Sequence, residues 1–454
     1  MAKPVNLLMR LENLPVARWH LLLAVVLCFT ILFDAYDSTI LSVGLPQIME
    51  QWNLNKVQAG VLGSAGFVGM LIGALLSGML ADRIGRIRMI QITILVYSLL
   101  TGIAAFSKNF EQLYFLRILI GIGLGGLIPV GSTYLAEYVP AKVRGRFVSV
   151  FNACFSLGVA LAYFLGYVVV VPFGWRWGFA IGVLPILMFF VAKATLPESV
   201  RYLLEKGRIE EAVRIVEQIE KKVLKRVTVP FEEAVKIERE AAALRHKEPR
   251  IGITDLFTRG MFRYTIVVAI AWFSLQYCVY AIMVWMPVVL RTELGFQLAT
   301  GLSFLALGSL LGAAATPLSG VAADTIGRKI SLCAIFTIYG IIPYFLFLFG
   351  RDPALGFVLL MLTLIVVGLI NGIVYVYSPE NFPTKARGAG MGFVTAVGRV
   401  GAIAGPTIVG FIYSVAGFIW VLHVNIALLL FGAIVVWIFG RETKGRVLED
   451  IESS

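Results

Sequence analysis

The chain has 454 residues, of which 59% are hydrophobic and only 15% are charged, with a formal net charge of +12. Soluble domains carry about a quarter charged residues, so this composition excludes an ordinary soluble globular protein. Apolar stretches of about 20 residues, long enough to cross a bilayer as a helix, recur along the chain. The sequence therefore predicts an all-α membrane protein with about twelve transmembrane helices.

In chain order, we predict spans at residues 18–45, 57–81, 89–107, 112–137, 146–171, 176–196, 262–291, 297–323, 330–349, 354–379, 389–414 and 418–439. The short loops on one side carry Arg83, Arg86, Arg88, Lys142, Arg144, Arg146, Arg328, Lys329, Lys385 and Arg387. The loops on the other side carry only Lys56, Lys108, Arg176, Arg291 and Arg351. By the positive-inside rule the basic side faces the cytoplasm. We therefore expect a multi-pass protein of the cell membrane with both termini cytoplasmic, a lipid bilayer as its surroundings, and no nucleic-acid partner.

The first predicted span contains "FDAYDSTI", with Asp34 and Asp37 inside an apolar run. A charged Asp at the bilayer centre costs about 2.5–3.5 kcal/mol on insertion scales, so both acids need partners, water or protons. Asp37 lies about 12 Å from the outer end of its helix, and Arg117 lies about 9 Å from the outer end of the fourth, at 1.5 Å per residue. We expect these two side chains to pair.

Two carboxylates close to one guanidinium cannot both ionise cheaply. The trio Asp34, Asp37 and Arg117 therefore predicts proton coupling, in which one acid carries a proton across the membrane. Which of the two acids does so stays open. The alternative is a static ion pair that locks two helices together.

One long polar segment separates six spans from six. It contains "EKGRIEEAVRIVEQIEKKVLKRV", with Ile209, Val213, Val216 and Ile219 on one helical face. We therefore divide the chain into an amino-terminal six-helix bundle (1–196), a cytoplasmic linker with an amphipathic helix (197–260), a carboxy-terminal six-helix bundle (261–440) and a cytoplasmic tail (441–454).

The two bundles repeat one another. "GMLADRIGRIR" (78–88) matches "GVAADTIGRKI" (320–330), "EYVPAKVRG" (137–145) matches "ENFPTKARG" (380–388), and "LPESVRYLLE" is matched by "GRETKGRVLE" after the twelfth span. The second copies follow the first at a nearly constant offset of 242 to 244 residues. A parallel duplication places a substrate site near the midplane between the halves, which rock against each other.

The repeated motifs bring acids and arginines to the inner helix ends. The expected members of this cytoplasmic gate are Asp82, Arg86, Glu137, Arg144, Glu198, Asp324, Arg328, Glu380 and Arg387. We expect an ion-pair network that forms when the inner side is closed and breaks when it opens. Each exposed pair contributes about 0–1 kcal/mol, which suits a switch. Loop charges that merely obey the positive-inside rule are the alternative.

The motifs resemble those of a known family. "GMLADRIGRIR" resembles the loop between the second and third helices of major facilitator superfamily transporters. "PESVRYLLEKGR" resembles the sugar-porter signature, while "ENFPTKARGAGMG" and "ETKG" are shared with organic-ion transporters and aromatic-acid symporters. "DAYD" resembles the D-G-x-D of aromatic-acid/proton symporters. The resemblance implies the major facilitator fold, and in sugar porters the Asp and Arg matching Asp37 and Arg117 couple the proton.

The chain departs from sugar porters where sugars are held. Its seventh helix has one glutamine, Gln276, instead of two, and Asn152 stands where the fifth helix usually has Gln. "GRVGAIAGP" resembles the eleventh helix of aromatic-acid symporters and organic-anion transporters, with Arg399 as its arginine. The expected substrate-binding residues are Arg399, Gln276, Tyr277, Tyr280, Tyr36, Asn152 and Tyr375.

Arg399 lies near the midplane without an acidic partner in its own half. A guanidinium can hold a carboxylate with two parallel hydrogen bonds, and aromatic faces beside it suit a flat organic anion. The alternative is a structural arginine bonded to backbone carbonyls near Gly398 and Gly401.

We interpret the sequence as a proton-coupled symporter of a small organic, in particular aromatic, carboxylate, acting as a monomer. The alternatives are a sugar or polyol symporter and a non-transporting receptor on a transporter scaffold. The sequence shows no nucleophile–base pair, and its four cysteines lie inside spans without metal-ligand spacing. We therefore expect no enzyme, no cofactor and no metal.

Overall fold

The computed structural model describes residues 6–244, 252–258, 260–383 and 385–444. Within them, twelve helices are long and apolar enough to cross a membrane. We number them span 1 to span 12: Arg18–Trp52, Lys56–Ile84, Arg86–Ala104, Phe110–Tyr138, Ala141–Phe173, Trp175–Thr195, Phe262–Thr292, Leu298–Ile326, Arg328–Phe349, Pro353–Glu380, Arg387–Ala416 and Phe418–Phe439. The expected all-helical membrane architecture is confirmed.

Most spans run longer than their apolar stretches. Span 1 continues past Pro46 to Trp52 and ends where Asn53 turns left-handed. Backbone hydrogen bonding keeps a helix going after its side chains become polar, so hydropathy alone underestimates its length. Some spans are also interrupted: span 4 breaks at 125–126, span 5 contains the π-helical turn Gly166–Val170, and span 6 breaks at 182–185.

Spans 1–6 and spans 7–12 form two six-helix bundles. They meet chiefly where span 2 packs on span 11, span 5 on span 8, and span 1 on span 7. We call the end of the molecule that carries the linker the linker end, and the opposite end the far end. A cleft between the bundles is therefore bounded by spans 1, 2, 5, 7, 8 and 11.

The linker forms a platform of three helices, Val200–Glu205, Ile209–Leu224 and Phe231–Leu244. The second of them is the expected amphipathic helix, and Val213, Val216 and Ile219 are buried on one face. This linker platform packs on span 1 and on a short amino-terminal helix, Leu7–Glu12. Burial of its apolar face holds the platform against the amino-terminal half.

A buried ion pair attaches the amino-terminal helix to the platform. Arg10 Nη2 lies 2.7 Å from Glu220 Oε2, and its Nε donates to Glu220 Oε1 at 2.9 Å. Thr228 donates a further hydrogen bond from its hydroxyl at 2.6 Å. Burial raises the pKa of the Glu220 carboxyl, but the hydrogen bonds from Arg10 and Thr228 outweigh burial and hold the pKa below its ordinary value. The pair therefore stabilises the fold above the ordinary pKa of Glu, and this contribution is lost as pH falls through the lowered one.

Replacing Glu220 by Ala should destabilise the linker platform by about 3–5 kcal/mol, because it leaves the Arg10 guanidinium buried and unpaired. The readouts are the thermal unfolding midpoint in detergent and the rate of limited proteolysis in the platform. The exposed Arg208–Glu211 pair supplies the control, since Glu211→Ala should change stability by only about 0–1 kcal/mol. A midpoint for Glu220→Ala equal to that of the control, at neutral pH, would contradict this account.

Candidate functional site

Asp37 and Arg117 form a buried ion pair inside the amino-terminal half. Arg117 Nη1 lies 2.9 Å from Asp37 Oδ2 and also donates to the backbone carbonyl of Asp37 at 3.1 Å. Thr101 of span 3 donates its hydroxyl to Asp37 Oδ1 at 2.7 Å. The structure thus brings together the two residues that the depth argument paired. Thr101 was missed, since a single threonine in an apolar span gives little signal.

Asp34 has a different environment. Its side chain is only 1% exposed, and neither carboxyl oxygen has a hydrogen-bond partner among the described residues. The hydroxyls of Ser38 and of Tyr97 in span 3 are likewise buried and unpaired. The two acids of span 1 therefore differ in their partners. Protein groups donate hydrogen bonds to the Asp37 carboxylate, whereas no described group donates one to the Asp34 carboxyl.

Arg399 enters the cleft from span 11 of the other half. It is half-buried, and no ion pair or hydrogen bond joins it to the described residues. Its charge acts at short range on Asp34, Tyr280 and Tyr375. The alternative of a structural arginine required backbone carbonyl acceptors, and none of the described carbonyls accepts a hydrogen bond from this side chain.

Span 7 supplies the wall beside Arg399. The two helices touch closely, because a Cβ at Gly401 would lie 2.5 Å from the carbonyl oxygen of Phe273. The Gln276 side chain is half-buried, and its Cγ lies against Gly398, the residue that precedes Arg399. Close helix contact of this kind fixes which face of span 11 can turn toward the cleft.

Aromatic rings surround the same region. Tyr280 packs on Phe67 of span 2, with ring centroids 4.4 Å apart, so this pair joins the two halves. Tyr375 packs edge-on against Trp272 at 4.9 Å. Tyr277 is buried, and its hydroxyl has no partner among the described residues. Phe67 and Trp272 did not stand out in the sequence, where aromatic residues in membrane spans are common.

Two of the expected substrate residues lie elsewhere. The Tyr36 hydroxyl donates to the Gly178 carbonyl of span 6 at 2.7 Å, and the ring is fully buried. The structure therefore gives Tyr36 a packing role inside the amino-terminal half. Asn152 is exposed and lies three helical turns from Tyr163, on the face of span 5 that meets the other half. Its contact with a substrate stays a prediction.

Both halves build the same polar network at the linker end. Arg86 pairs with Glu137, and Glu198 accepts hydrogen bonds from the backbone N–H groups of Arg86 and Ile87 at 2.8 and 3.0 Å. These donors are the free N–H groups at the start of span 3, where a carboxylate is stabilised by the helix dipole. Ser199 donates its hydroxyl to Glu137 and completes the network.

In the second copy, Arg328 Nε lies 3.3 Å from Glu380 Oε2, and Glu442 accepts from the N–H groups of Arg328 and Lys329 at 2.8 and 3.1 Å. Thr443 donates to Glu380, as Ser199 does to Glu137. Glu442 therefore occupies the position of Glu198. The sequence repeat included the motif that contains Glu442, but it did not predict that the Glu442 carboxylate caps the start of span 9.

A glycine precedes each of these capped helices. Gly85 has φ +108° and Gly327 has φ +115°, a backbone conformation that residues with a side chain rarely adopt. A Cβ would lie 2.1 Å from Glu198 Oε2 at Gly85 and 2.7 Å from Glu442 Oε2 at Gly327. Glycine is thus required at both places for the turn and for the approach of the carboxylate.

Two expected gate residues, Asp82 and Arg144, do not join the network around Glu137. Asp82 is exposed and forms no ion pair with a described residue, because Arg86 turns to Glu137 instead. Arg144 pairs with Glu12 of the amino-terminal helix at 3.1 Å, and not with Glu137.

The remaining gate residues stay within the carboxy-terminal half. Asp324 pairs with Arg328 at 2.8 Å, and Arg387 donates to the Pro379 carbonyl at 3.2 Å. Among described residues, every ion pair of the network joins groups of one half. The network therefore does not bridge the cleft in this conformation.

Contacts between the halves concentrate at the far end, which the sequence did not predict. Glu50 pairs with Arg291 at 3.1 Å, and the Lys56 ammonium lies 3.4 Å from the ring centroid of Tyr413. One helical turn or two deeper, the hydroxyls of Ser64 and Thr407 are 2.7 Å apart. We call these contacts the far-end seal. With the seal formed and the linker-end network unbridged, the cleft opens toward the linker end.

Two repeated six-helix bundles that bound a cleft, the first with a buried acid–arginine pair, define a transporter of the major facilitator superfamily. The family model described as "Sugar (and other) transporter" matches residues 17–454, and the chain belongs to this family of transporters, which are not enzymes.

Among relatives, the niacin transporter NiaP of Acinetobacter baylyi is 32% identical over 98% of this chain and 100% of its own length. The 4-hydroxybenzoate transporter PcaK of the same organism is 29% identical over 88% of this chain and 86% of its own. The benzoate transport protein of that organism is 28% identical, covering 91% and 88%.

The fold is similar to that of the xylose transporter XylE from E. coli in a partially occluded inward open conformation. The TM-score is 0.76 at 20% identity, covering 95% of this chain and 100% of that one. At this identity the likeness shows the fold alone.

The far-end seal can be tested by cross-linking. Hydroxyls 2.7 Å apart place the β-carbons within disulfide reach, so Ser64→Cys with Thr407→Cys should form a disulfide in a variant whose four native cysteines are alanine. With a protease site inserted between residues 250 and 251, the halves should stay joined on a non-reducing gel and separate on reduction. The matched control pairs Ser64→Cys with Thr395→Cys, about 18 Å farther along span 11. Cross-linking of the control pair, or none in the test pair, would contradict the seal.

Proposed function

We propose that this transporter carries a small aromatic carboxylate together with protons by alternating access. The observation that carries the proposal is Arg399, a half-buried guanidinium at the cleft that no described residue pairs. Its insertion costs about 2.5–3.5 kcal/mol when it has no anion, so an anionic substrate is its natural partner. A carboxylate accepts two parallel hydrogen bonds from the guanidinium fork.

The rings around Arg399 support an aromatic substrate. Tyr280 and Tyr375 present faces and edges to which a flat acid can pack, and the Gln276 amide can hydrogen-bond a ring substituent. The names of the relatives also support an aromatic carboxylate as substrate, since niacin, benzoate and 4-hydroxybenzoate are all aromatic carboxylates.

The coupling and gating residues have proposed roles in the same cycle. Asp34, Asp37 and Arg117 couple the proton. The repeated networks of Glu137 and Glu380 keep each half rigid and close the linker end in the alternate state. The linker end is cytoplasmic, the membrane is the cell membrane, and one chain suffices for function.

The orientation can be checked by cysteine labelling in intact cells. Asn53 and Lys225 are exposed at the far end and in the platform, respectively. Because Lys and Arg concentrate at the linker end, Asn53→Cys should react with a membrane-impermeant maleimide added outside, whereas Lys225→Cys should react only after permeabilisation. The cysteine-free parent is the control. Labelling of Lys225→Cys in sealed cells would reverse the assigned orientation.

Substitution of Arg399 tests the substrate class. Benzoate binding to purified protein should weaken by about tenfold to hundredfold in Arg399→Ala, because a hydrogen bond to a charged group contributes about 1.5–3 kcal/mol. Arg399→Lys should also weaken binding severalfold, since an ammonium keeps the charge but lacks the fork. Arg214→Lys, on the linker platform, is the matched control and should bind normally. The measurement is calorimetric titration.

Competition experiments complete this test. Benzoate, nicotinate and 4-hydroxybenzoate should compete with one another, while benzamide and hexoses should not. A hexose that competes as well as the acids, or unchanged binding by Arg399→Ala, would overturn the organic-acid assignment in favour of a sugar or polyol substrate.

A further inference from the structure

We propose that Asp34 and the substrate carboxylate are alternative partners of Arg399, so that Asp34 carries the transported proton and one proton accompanies each monocarboxylate. This inference rests on the proposed function and assigns the coupling step within it. Its basis is the unequal environment of the two acids of span 1.

Asp37 has a counterion and a hydrogen-bond donor inside the protein. It accepts from Arg117 at 2.9 Å and from Thr101 at 2.7 Å, and removing its charge would leave Arg117 buried without a counterion. Breaking such a pair costs about 3–5 kcal/mol. Asp37 is therefore poorly suited to release and rebind a proton in each cycle.

Asp34 is suited to that role. Its two carboxyl oxygens are buried and have no hydrogen-bond partner among the described residues. An ionised carboxylate left this way costs several kcal/mol, whereas the neutral acid avoids that cost. In the conformation open to the linker end, the neutral acid is the form that this geometry favours.

The groups around Asp34 come from several spans. Asp34 interacts electrostatically with Asp37 on its own helix, with Tyr97 on span 3, with Tyr280 on span 7 and with Arg399 on span 11. Span 5 packs closely beside it through Gly158, which touches Leu32 and Ala35 and brings no charge. Arg399 is thus the cation available to an ionised Asp34, since Arg117 is bound to Asp37.

Asp34 and Arg399 belong to opposite halves, so their pairing depends on the position of the halves. In the conformation open to the linker end the two side chains are not paired; ionised Asp34 pairs with Arg399 when the halves move in the empty carrier. Binding then adds one proton to the Asp34 carboxylate and one substrate carboxylate to Arg399, and the site has net charge zero before and after. On release at the linker end, the anion leaves Arg399 and the proton of Asp34 passes to water, and the pair forms again as the empty carrier changes conformation. Transport is therefore electroneutral for a monocarboxylate.

Proton uptake on binding tests the exchange. Purified wild-type protein should take up about one proton per benzoate bound at alkaline pH, and benzoate affinity should fall as pH rises, because binding requires protonated Asp34. The measurement is titration calorimetry in buffers of different ionisation enthalpy. Asp34→Asn should bind benzoate with no proton uptake and little pH dependence, and Asp34→Glu should restore uptake. In proteoliposomes Asp34→Asn should keep exchange and lose accumulation driven by a pH gradient.

A double variant separates the two acids. Asp37→Asn with Arg117→Gln removes both charges of the buried pair, so neither is left uncompensated. It should transport more slowly but still take up about one proton per benzoate. Loss of proton uptake in this variant, with uptake retained in Asp34→Asn, would assign the proton to Asp37 and overturn the proposal.

Infrared spectroscopy tests Asp34 without any substrate. The difference spectrum between neutral and alkaline buffer, a range in which exposed carboxylates stay ionised, should show the carbonyl stretch of a protonated carboxyl, lost in Asp34→Asn and kept in the Asp37→Asn, Arg117→Gln variant. A band that persists in Asp34→Asn overturns the assignment. If the wild type shows this band but binds no aromatic carboxylate, the proposed substrate fails while the proton site at Asp34 stands.

Discussion

Water is absent from the hydrocarbon core, so every charge placed there must find a partner, a proton or a ligand. Four charged side chains lie deep in the spans around the cleft: Asp34, Asp37, Arg117 and Arg399. Asp37 and Arg117 satisfy each other and join spans 1 and 4 of one half. Asp34 and Arg399 stay unpaired on opposite sides of the cleft. The cost of leaving them so is the physical basis of the proposed anion binding and of its proposed link to a proton.

Each half has its own polar network at the linker end. In each half a carboxylate, Glu198 or Glu442, accepts hydrogen bonds from the free N–H groups at the start of the third helix. A second carboxylate, Glu137 or Glu380, pairs with the arginine that begins that helix. These contacts combine charge, helix dipole and a glycine turn. Bodies fastened internally in this way can rock as units, so a conformational change needs to break only the contacts between them.

The contacts between the halves differ in kind at the two ends of the molecule. At the far end, hydroxyl, aromatic and ion-pair contacts such as Ser64–Thr407 close the cleft. At the linker end, the linker platform packs on span 1, while the short turn Ile253–Phe257 packs on spans 7 and 11 of the other half. The described parts of the linker thus pack on each half separately.

The sequence by itself determined the twelve spans, the duplication and the pairing of Asp37 with Arg117. Each depends on a local or repeated pattern: apolar length, motif spacing, or depth counted from a helix end. Depth says how far a residue lies along the membrane normal. It does not say which way the residue points around its helix axis or which helix lies beside it.

Only the tertiary structure decided those directions. In the structure Arg86 pairs with Glu137, Arg144 pairs with Glu12, and the Tyr36 hydroxyl donates a hydrogen bond to span 6. It also left Asp34 without a partner among the described residues and brought Arg399 near it. These outcomes depend on helix rotation and on contacts between residues hundreds of positions apart, which no local pattern in the sequence specifies.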